Sequence, residues 1–187
     1  MSNKKAIFVF GRMNPPTVGH RALINKAIQT GQNMNADVHV YVTKTQKKET
    51  DPLPPNLKKE VLNSMYPNMK NRIYTESSIP AIMQQLKNRK YGEVYMMVGS
   101  DRVTNFQWVK NKLCAKNILS GGQRDPSASG PSGMSATVAR KTARQGSVQN
   151  FGQCINAERL SPELIQRIYN TVRSPPSPPL KKRKTAK

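Results

Sequence analysis

The sequence predicts an α/β protein with a Rossmann-like, three-layer fold, in which a parallel sheet carries helices on both faces. Short segments rich in apolar, β-branched and aromatic residues alternate along the chain with segments whose apolar residues recur every three or four positions. This alternation is typical of parallel sheets. The first strand segment, residues 6–10, is apolar throughout, as expected for a strand that is fully buried.

The first strand leads into a loop and a helix. Gly11 ends the strand, and residues 14–16, Asn-Pro-Pro, form a rigid loop because proline fixes φ and restricts the residue before it. Helical spacing of apolar residues begins at residues 19–20 and continues to Ile28. Residues 31–33, Gly-Gln-Asn, are expected to end this helix.

A second strand and a second helix follow. Residues 37–43 are rich in β-branched and aromatic side chains and predict a strand, which ends in a basic loop at residues 44–48. Residues 57–65 place their apolar side chains on one face of a helix. Lys58 and Lys59 fall on the other faces of that helix.

The remaining elements continue the alternation. A third strand is predicted at residues 72–75, followed by a helix at 79–86 with Ser77 or Ser78 as its N-cap, and by a fourth strand at 93–98. A helix that includes residues 106–109 and a short fifth strand at 117–119 come next, before a Gly-, Ser- and Pro-rich loop at 120–133. The last two helices open at residues 134–141, with Ser135 or Thr137 near the N-cap, and run from Ser161 to Val172.

The composition divides the 187 residues into one domain, residues 1–172, and a basic, proline-rich tail, residues 173–187. The tail is predicted to be disordered, because its prolines favour an extended chain and its lysines repel one another. Residues 181–184, Lys-Lys-Arg-Lys, resemble a nuclear localisation signal, and a solvated basic tail is the alternative interpretation.

The net charge of +21, from 31 basic and 10 acidic residues, predicts attraction to polyanions such as nucleic acid or nucleotide polyphosphates. A solvated basic surface with no specific partner is the alternative. Two distant cysteines and two histidines form no ligand cluster, so no metal site is predicted, and reduced cysteines fit an intracellular protein. No apolar run is long enough to span a bilayer, so no membrane association is expected.

Two helix N-termini are candidate anion sites. The first strand runs through Gly11 into a helix whose free N–H groups and dipole favour an anion, and His20 lies in the first turn of that helix. The helix that opens at residues 134–141 is the second candidate, because it carries basic side chains in or near its first turns. Since Thr17, Lys44 and residues 99–101 also follow strands, we expect these groups to gather at one rim of the sheet.

The absence of two catalytic motifs limits the classes of reaction that the sequence supports. The sequence contains neither a G-x-S-x-G nucleophile motif nor a Walker A motif, and no nucleophile–base pair is apparent. Phosphoryl or nucleotidyl transfer remains, because this chemistry depends mainly on positioning and charge stabilisation.

Three segments resemble the signatures of the HxGH nucleotidyltransferase superfamily, which has a cytidylyltransferase-like fold. Residues 11–20, Gly-Arg-Met-Asn-Pro-Pro-Thr-Val-Gly-His, resemble its signature loop, and we use that name for them. Residues 99–101, Gly-Ser-Asp, resemble its GxD turn, and residues 134–140 resemble its ISSTxxR-type second signature. The Pro-Pro-Thr form of the loop and the Arg-Asp-Pro at residues 124–126 look most like phage and viral members.

The resemblance implies a nucleotide site and its ligands. The substrates would be a nucleoside triphosphate, ATP or CTP, and a phosphorylated small molecule, with Mg²⁺ entering on the triphosphate. Backbone groups of residues 11–13 would hold the nucleotide, Asp101 would bind its ribose, and the second signature would bind the β- and γ-phosphates. The nucleotide-binding residues implied in this way are Gly11, Arg12, Met13, Gly19, Gly99, Asp101, Ser135, Thr137 and Arg140.

The resemblance also implies the catalytic residues. His20 would stabilise charge on the reacting phosphate, and Lys44 or Lys47 would neutralise the triphosphate. Thr17 stands where the family has its first histidine. Threonine can donate a hydrogen bond but cannot carry charge, so His20 is expected to supply more of the charge stabilisation alone.

The acceptor is the least determined feature. Trp108 resembles the tryptophan that stacks on nicotinamide in nicotinamide-mononucleotide adenylyltransferases, and a core or surface aromatic is the alternative. We favour adenylyl transfer to nicotinamide mononucleotide, a step of NAD biosynthesis. Cytidylyl transfer to a phosphorylated alcohol, or adenylyl transfer to another phosphate, is the second hypothesis. A basic nucleic-acid-binding or virion protein on the same fold is the third, and a location in a host nucleus or virion and a homo-oligomeric state stay open.

Overall fold

The computed structural model describes residues 3–122, 134–155 and 157–174. The Arg-Asp-Pro segment at residues 124–126 and the basic run at residues 181–184 lie outside the described residues.

The predicted parallel sheet is confirmed, and the five strands found in the described residues all run in the same direction. The strands are β1 (Lys5–Gly11), β2 (Ala36–Thr43), β3 (Ile73–Glu76), β4 (Glu93–Val98) and β5 (Asn117–Ser120). Their spatial order is β3-β2-β1-β4-β5. The chain therefore builds outwards from β1 to one edge and then returns to add β4 and β5 on the other side. The crevice at the carboxyl ends of β1 and β4 is the switch point where ligands bind in such sheets.

Helices cover both faces of the sheet within the described residues. They are α1 (Val18–Met34), α2 (Pro55–Met65), α3 (Ile79–Asn88), α4 (Gln107–Leu113), α5 (Ala136–Arg144), α6 (Val148–Ile155) and α7 (Pro162–Arg173). Alternate residues of β1 enter opposite cores: Ile7 and Val9 pack with α1, α2 and α5–α7, whereas Ala6 and Phe8 pack with α3 and α4. The Rossmann-like three-layer prediction is therefore correct.

Helix α1 continues beyond the point where the sequence predicts its end. The Gly-Gln-Asn segment at residues 31–33 is helical, and the helix is closed by Asn35 in the left-handed conformation, with φ 49°. Gly31 is required for packing: a Cβ there would lie 2.6 Å from Val38 Cγ2 and 2.9 Å from the Ala36 carbonyl oxygen. This glycine therefore marks a close approach between helix and strand and does not end the helix.

Helix α6 has no counterpart in the sequence-based prediction. It is short, and Gly152 interrupts its apolar face, so its local signal is weak. Tertiary packing stabilises this helix despite its weak local signal, because the fully buried ring of Phe151 lies 5.7 Å from the ring of Tyr169 on α7.

His39 is a buried histidine on β2, only 2% exposed. Its Nε2 lies 2.9 Å from the Tyr91 hydroxyl, which itself donates to Asp37 Oδ2 at 2.8 Å. Nε2 is therefore the protonated nitrogen, and Nδ1 is buried without a hydrogen-bond partner among the described residues. Burial, assisted by the positive charge of Arg89, lowers the pKa of His39 to about 4.

We expect the free energy of unfolding to decrease as the pH falls from about 6.5 to about 4. The unfolded chain takes up a proton on His39 first in this interval, so acid favours unfolding. The shift from 6.5 to about 4 corresponds to a loss of up to about 3 kcal/mol. Urea denaturation at pH 7 and pH 4.5 measures this loss. The variant His39→Gln, which keeps a donor for Tyr91 and cannot titrate, should lose less stability than the wild type. Equal losses of unfolding free energy in both proteins would contradict the assignment of this pH dependence to His39.

Candidate functional site

A cleft of about 280 Å³ lies at the carboxyl ends of β1 and β4. Its walls come from the signature loop, residues 99–102 after β4, residues 121–122 after β5, and residues 134–140 at the start of α5. The cleft thus occupies the switch point of the sheet, where the sequence predicts the ligand site.

All of the predicted nucleotide-binding residues, together with Thr17 and His20, line this cleft. They are Gly11, Arg12, Met13, Thr17, Gly19, His20, Gly99, Asp101, Ser135, Thr137 and Arg140. Residues more than 120 positions apart in the chain, such as Gly11 and Arg140, therefore face one cavity.

The N-terminus of α1 is closed by a reciprocal pair of contacts between Thr17 and His20. Thr17 is the N-cap residue and is fully buried. Its backbone N–H donates to His20 Nδ1 at 3.1 Å, and its hydroxyl oxygen lies 2.8 Å from the same nitrogen. Because Nδ1 accepts the backbone N–H, a neutral imidazole carries its proton on Nε2. Thr17 therefore fixes both the orientation and the tautomer of the histidine ring.

The N-terminus of α5 provides a second set of polar groups. Ser135 is its N-cap residue, and the Ser135 hydroxyl accepts from the Val138 N–H at 3.2 Å. Helix α5 contains nine residues, and the positive end of its dipole lies at the cleft. The prediction that Ser135 or Thr137 lies near the N-cap is confirmed, with Ser135 in that position.

Arg140 connects α5 to the signature loop. Its guanidinium donates to the Asn14 carbonyl oxygen at 2.7 Å and to Thr137 Oγ1 at 3.2 Å. Burial, followed by the positive charges of Arg144 and Arg12, lowers the pKa of Arg140. The cleft is therefore a region of concentrated positive charge, which an anionic ligand would neutralise.

The segment after β4 presents a carboxylate at the rim. Asp101 is exposed, and a Cβ added to Gly99 would lie 2.6 Å from Asp101 Oδ1, so the carboxylate folds back over the glycine. The Ser100 N–H donates to the Gly122 carbonyl oxygen at 3.1 Å. This hydrogen bond joins the segments after β4 and β5 into one wall.

Lys44 and Trp108 do not line the cleft. Lys44 Nζ lies 3.3 Å from Glu76 Oε1, at the end of β3. The Ser77 backbone N–H and the Lys44 ammonium hold the pKa of Glu76 below its usual value. Trp108 is 37% exposed on α4, whereas Phe106, two positions earlier, lines the cleft, as does Phe10 of β1.

Lys58, which the sequence places on a face of α2 other than the apolar one, has a completely buried side chain. Lys58 Nζ lies 2.8 Å from Asp51 Oδ1 and donates to the Thr45 and Thr43 carbonyl oxygens at 2.8 and 3.1 Å. Burial lowers the pKa of Lys58, and the hydrogen bond to Asp51 opposes this effect. The helical periodicity of residues 57–65 contains no signal for the ion pair, because its acidic partner lies in the preceding loop.

Asn14 is also missing from the predicted site residues. It lies in the signature loop next to the cleft, and its side chain is buried against Asp51 and Leu53. The only sequence signal was its position before two prolines, which predicts a rigid loop but no hydrogen-bond partner.

Within residues 3–122, 134–155 and 157–174, no group of three or more His, Cys, Asp or Glu residues could hold a metal ion. No helix in these ranges has the length and hydropathy needed to cross a membrane.

Comparison with known proteins gives one family match. The model of the cytidylyltransferase-like family matches residues 8–149, a range that includes every residue described above as lining the cleft. A comparison with curated proteins finds no match.

Proposed function

The chain belongs to the cytidylyltransferase-like family of nucleotidyltransferases, and from this premise we propose that it transfers the adenylyl group of ATP to nicotinamide mononucleotide. The reaction would release pyrophosphate. Nucleotidyl transfer in general follows from the family, whereas the choice of ATP and of this acceptor is our proposal.

One observation carries the proposal: the cleft combines His20 with two helix N-termini and the Arg140 guanidinium. Helix N-termini bind phosphate groups through their free N–H groups and their dipoles. Arginine binds phosphate oxygens through its planar set of donors. A triphosphate placed along these groups would bring its α-phosphorus between the two helices, beside His20.

The proposed reaction is a direct displacement. An oxygen of the acceptor's phosphate attacks the α-phosphorus of ATP, a new P–O bond forms, and the bond to the β-phosphate breaks as pyrophosphate leaves. Ser135, Thr137 and Arg140 would hold the β- and γ-phosphates, and His20 would stabilise negative charge on the α-phosphate through Nε2. Preorganised donors of this kind stabilise a transition state because they need little reorganisation during the reaction.

The remaining site residues would place the nucleoside. Asp101 at the rim would accept hydrogen bonds from the ribose, and backbone groups of residues 11–13 would contact the nucleotide. Mg²⁺ would enter with ATP, since Mg²⁺ is commonly held by substrate phosphates and few protein groups. A role for Lys44 would require its ion pair with Glu76 to open, so we assign the main electrostatic role to Arg140.

The acceptor proposal depends on the apolar part of the cleft. Leu23, Val98 and Phe106 are among its lining residues, and such side chains suit a planar ring. We therefore propose Phe106 as the aromatic contact of the nicotinamide ring, in the role that the sequence suggests for Trp108.

The test is a transfer assay with purified full-length protein and Mg²⁺. Each of ATP and CTP is combined with nicotinamide mononucleotide or a phosphorylated alcohol such as phosphocholine, and both pyrophosphate and the nucleotide product are measured. We expect a dinucleotide and pyrophosphate from ATP with nicotinamide mononucleotide. Product from CTP with the phosphorylated alcohol would replace our choice by cytidylyl transfer. No product from any pair, with folded protein, would contradict transfer to either acceptor.

Nucleic-acid binding is a second candidate, and the charge of the chain supports it. The 31 basic residues outnumber the 10 acidic residues. Several carboxylates are already neutralised by lysine in ion pairs, such as Asp51 with Lys58 and Glu76 with Lys44. Fluorescence anisotropy with duplex DNA at several salt concentrations tests this function, because phosphate contacts produce a steep salt dependence. Tight, salt-sensitive binding together with absent transfer activity would favour this second function.

A further inference from the structure

We infer that Asn14 is a positioning residue for the signature loop, and that the buried Asp51–Lys58 ion pair holds Asn14 in place. The inferred role in catalysis rests on the proposed function. The contacts that hold the loop are independent of the identity of the substrate.

The side chain of Asn14 uses both ends of its amide. Asn14 Oδ1 accepts from the Leu53 N–H at 2.9 Å, and Nδ2 donates to the Leu53 carbonyl oxygen at 3.1 Å. Nδ2 also donates to Asp51 Oδ1. Asn14 is 1% exposed, so the loss of these contacts would leave buried polar groups unsatisfied.

Asp51 is itself fixed from several directions. Its carboxylate accepts from Asn14, from the Thr45 hydroxyl and from Lys58 Nζ. Its backbone N–H and carbonyl form an isolated bridge with Lys47, with N···O distances of 2.9 and 2.8 Å. The loop between β2 and α2 is therefore a rigid support on which the Asn14 amide rests.

The backbone of Asn14 contacts a third segment, since its carbonyl oxygen accepts from Arg140 of α5 at 2.7 Å. One residue connects the signature loop, the loop before α2 and the helix proposed to bind the triphosphate. A displacement of Asn14 would thus move both the loop and a proposed phosphate ligand.

The residue before Asn14 shows that the loop needs such support. Met13 has φ 45°, in the left-handed region, which a non-glycine residue adopts only at a cost and where the surroundings enforce it. Met13 is buried and lines the cleft. The Asn14 contacts fix the chain directly after this residue, so they help to hold residues 11–13 in the shape that the nucleotide meets.

The test compares Asn14→Ala with Asn63→Ala. Asn63 is a partly buried asparagine on α2 outside this network, so its truncation controls for the general cost of removing an amide. Two quantities are measured on each full-length protein: the kcat and KM for ATP, and the hydrogen exchange of the Leu53 amide and of the amides in residues 11–17, among which the two prolines have no N–H.

We expect Asn14→Ala to raise the KM for ATP about tenfold or more, because misplacement of binding groups is costly. The amides of residues 11–17 and of Leu53 should exchange faster, and Asn63→Ala should change neither quantity. Unchanged exchange and KM in Asn14→Ala, or equal changes in both variants, would overturn the inference.

Two further outcomes need a decisive measurement: an Asn14→Ala variant that does not fold, and a wild type that transfers no nucleotide. If Asn14→Ala does not fold, Thr45→Val decides, because it removes one hydrogen bond to Asp51 at an exposed position. It should raise exchange in residues 11–17 and the KM for ATP, and no change would overturn the inference. If the wild type transfers no nucleotide, the proposed function fails, and the exchange rates of residues 11–17 still decide whether Asn14 positions the loop.

Discussion

Replacement of His20 by alanine is expected to lower the rate of nucleotidyl transfer by about 10²–10³-fold, with ATP still bound. His20 lines the cleft beside the start of α1, and Thr17 holds its ring through Nδ1. The loss therefore removes a preorganised group at the reacting phosphate. Steady-state kinetics give the rate, and calorimetric titration with Mg²⁺-ATP gives the affinity.

The variant His20→Gln is the matched control for structure. His20 occupies the N3 position of a capping box with Thr17, where glutamine can also accept from the N-cap backbone. This variant should keep the stability of the wild type and restore part of the rate, since its amide N–H can replace the Nε2–H donor of the imidazole. A near-normal rate in folded His20→Ala would show that His20 is not catalytic.

The parts of the site that the sequence predicts are those built from local signals. The signature loop, residues 99–101 and residues 134–140 each follow a recognisable strand or precede a helix, and parallel topology brings these ends to one rim. The strands themselves were predictable because fully buried strands are continuously apolar, as in β1. Local sequence and topology together were sufficient to predict that His20 and Arg140 lie at this rim.

The parts that sequence reasoning missed depend on contacts between distant segments. Lys44 follows a strand, as expected for a ligand-binding residue of a parallel sheet. Its ammonium forms an ion pair with Glu76 at the end of the neighbouring edge strand and does not line the cleft. Phe106 and Trp108 are two positions apart, yet Phe106 lines the cleft and Trp108 does not. Such choices depend on three-dimensional partners that a local pattern does not encode.

Lys58 is the clearest such case, and Lys58→Met is expected to lower the free energy of unfolding by about 3–5 kcal/mol. Methionine is apolar and fits the length of the buried stem, so the main loss is electrostatic. The Asp51 carboxylate, 2% exposed, would be left buried without its cation. The carbonyl oxygens of Thr43 and Thr45 would also lose their donor. Urea denaturation followed by circular dichroism measures the change.

Lys59→Met is the matched control, because Lys59 is the adjacent lysine of the same helix and is only partly buried. Its change should stay within about 0.5 kcal/mol. The double variant Lys58→Met/Asp51→Asn should recover part of the loss, since it removes the unpaired charge and leaves an amide that can accept from Asn14. If Lys58→Met were as stable as Lys59→Met, the buried pair would contribute little to the fold. The Asn14 amide would then rest on a support that does not need its cation.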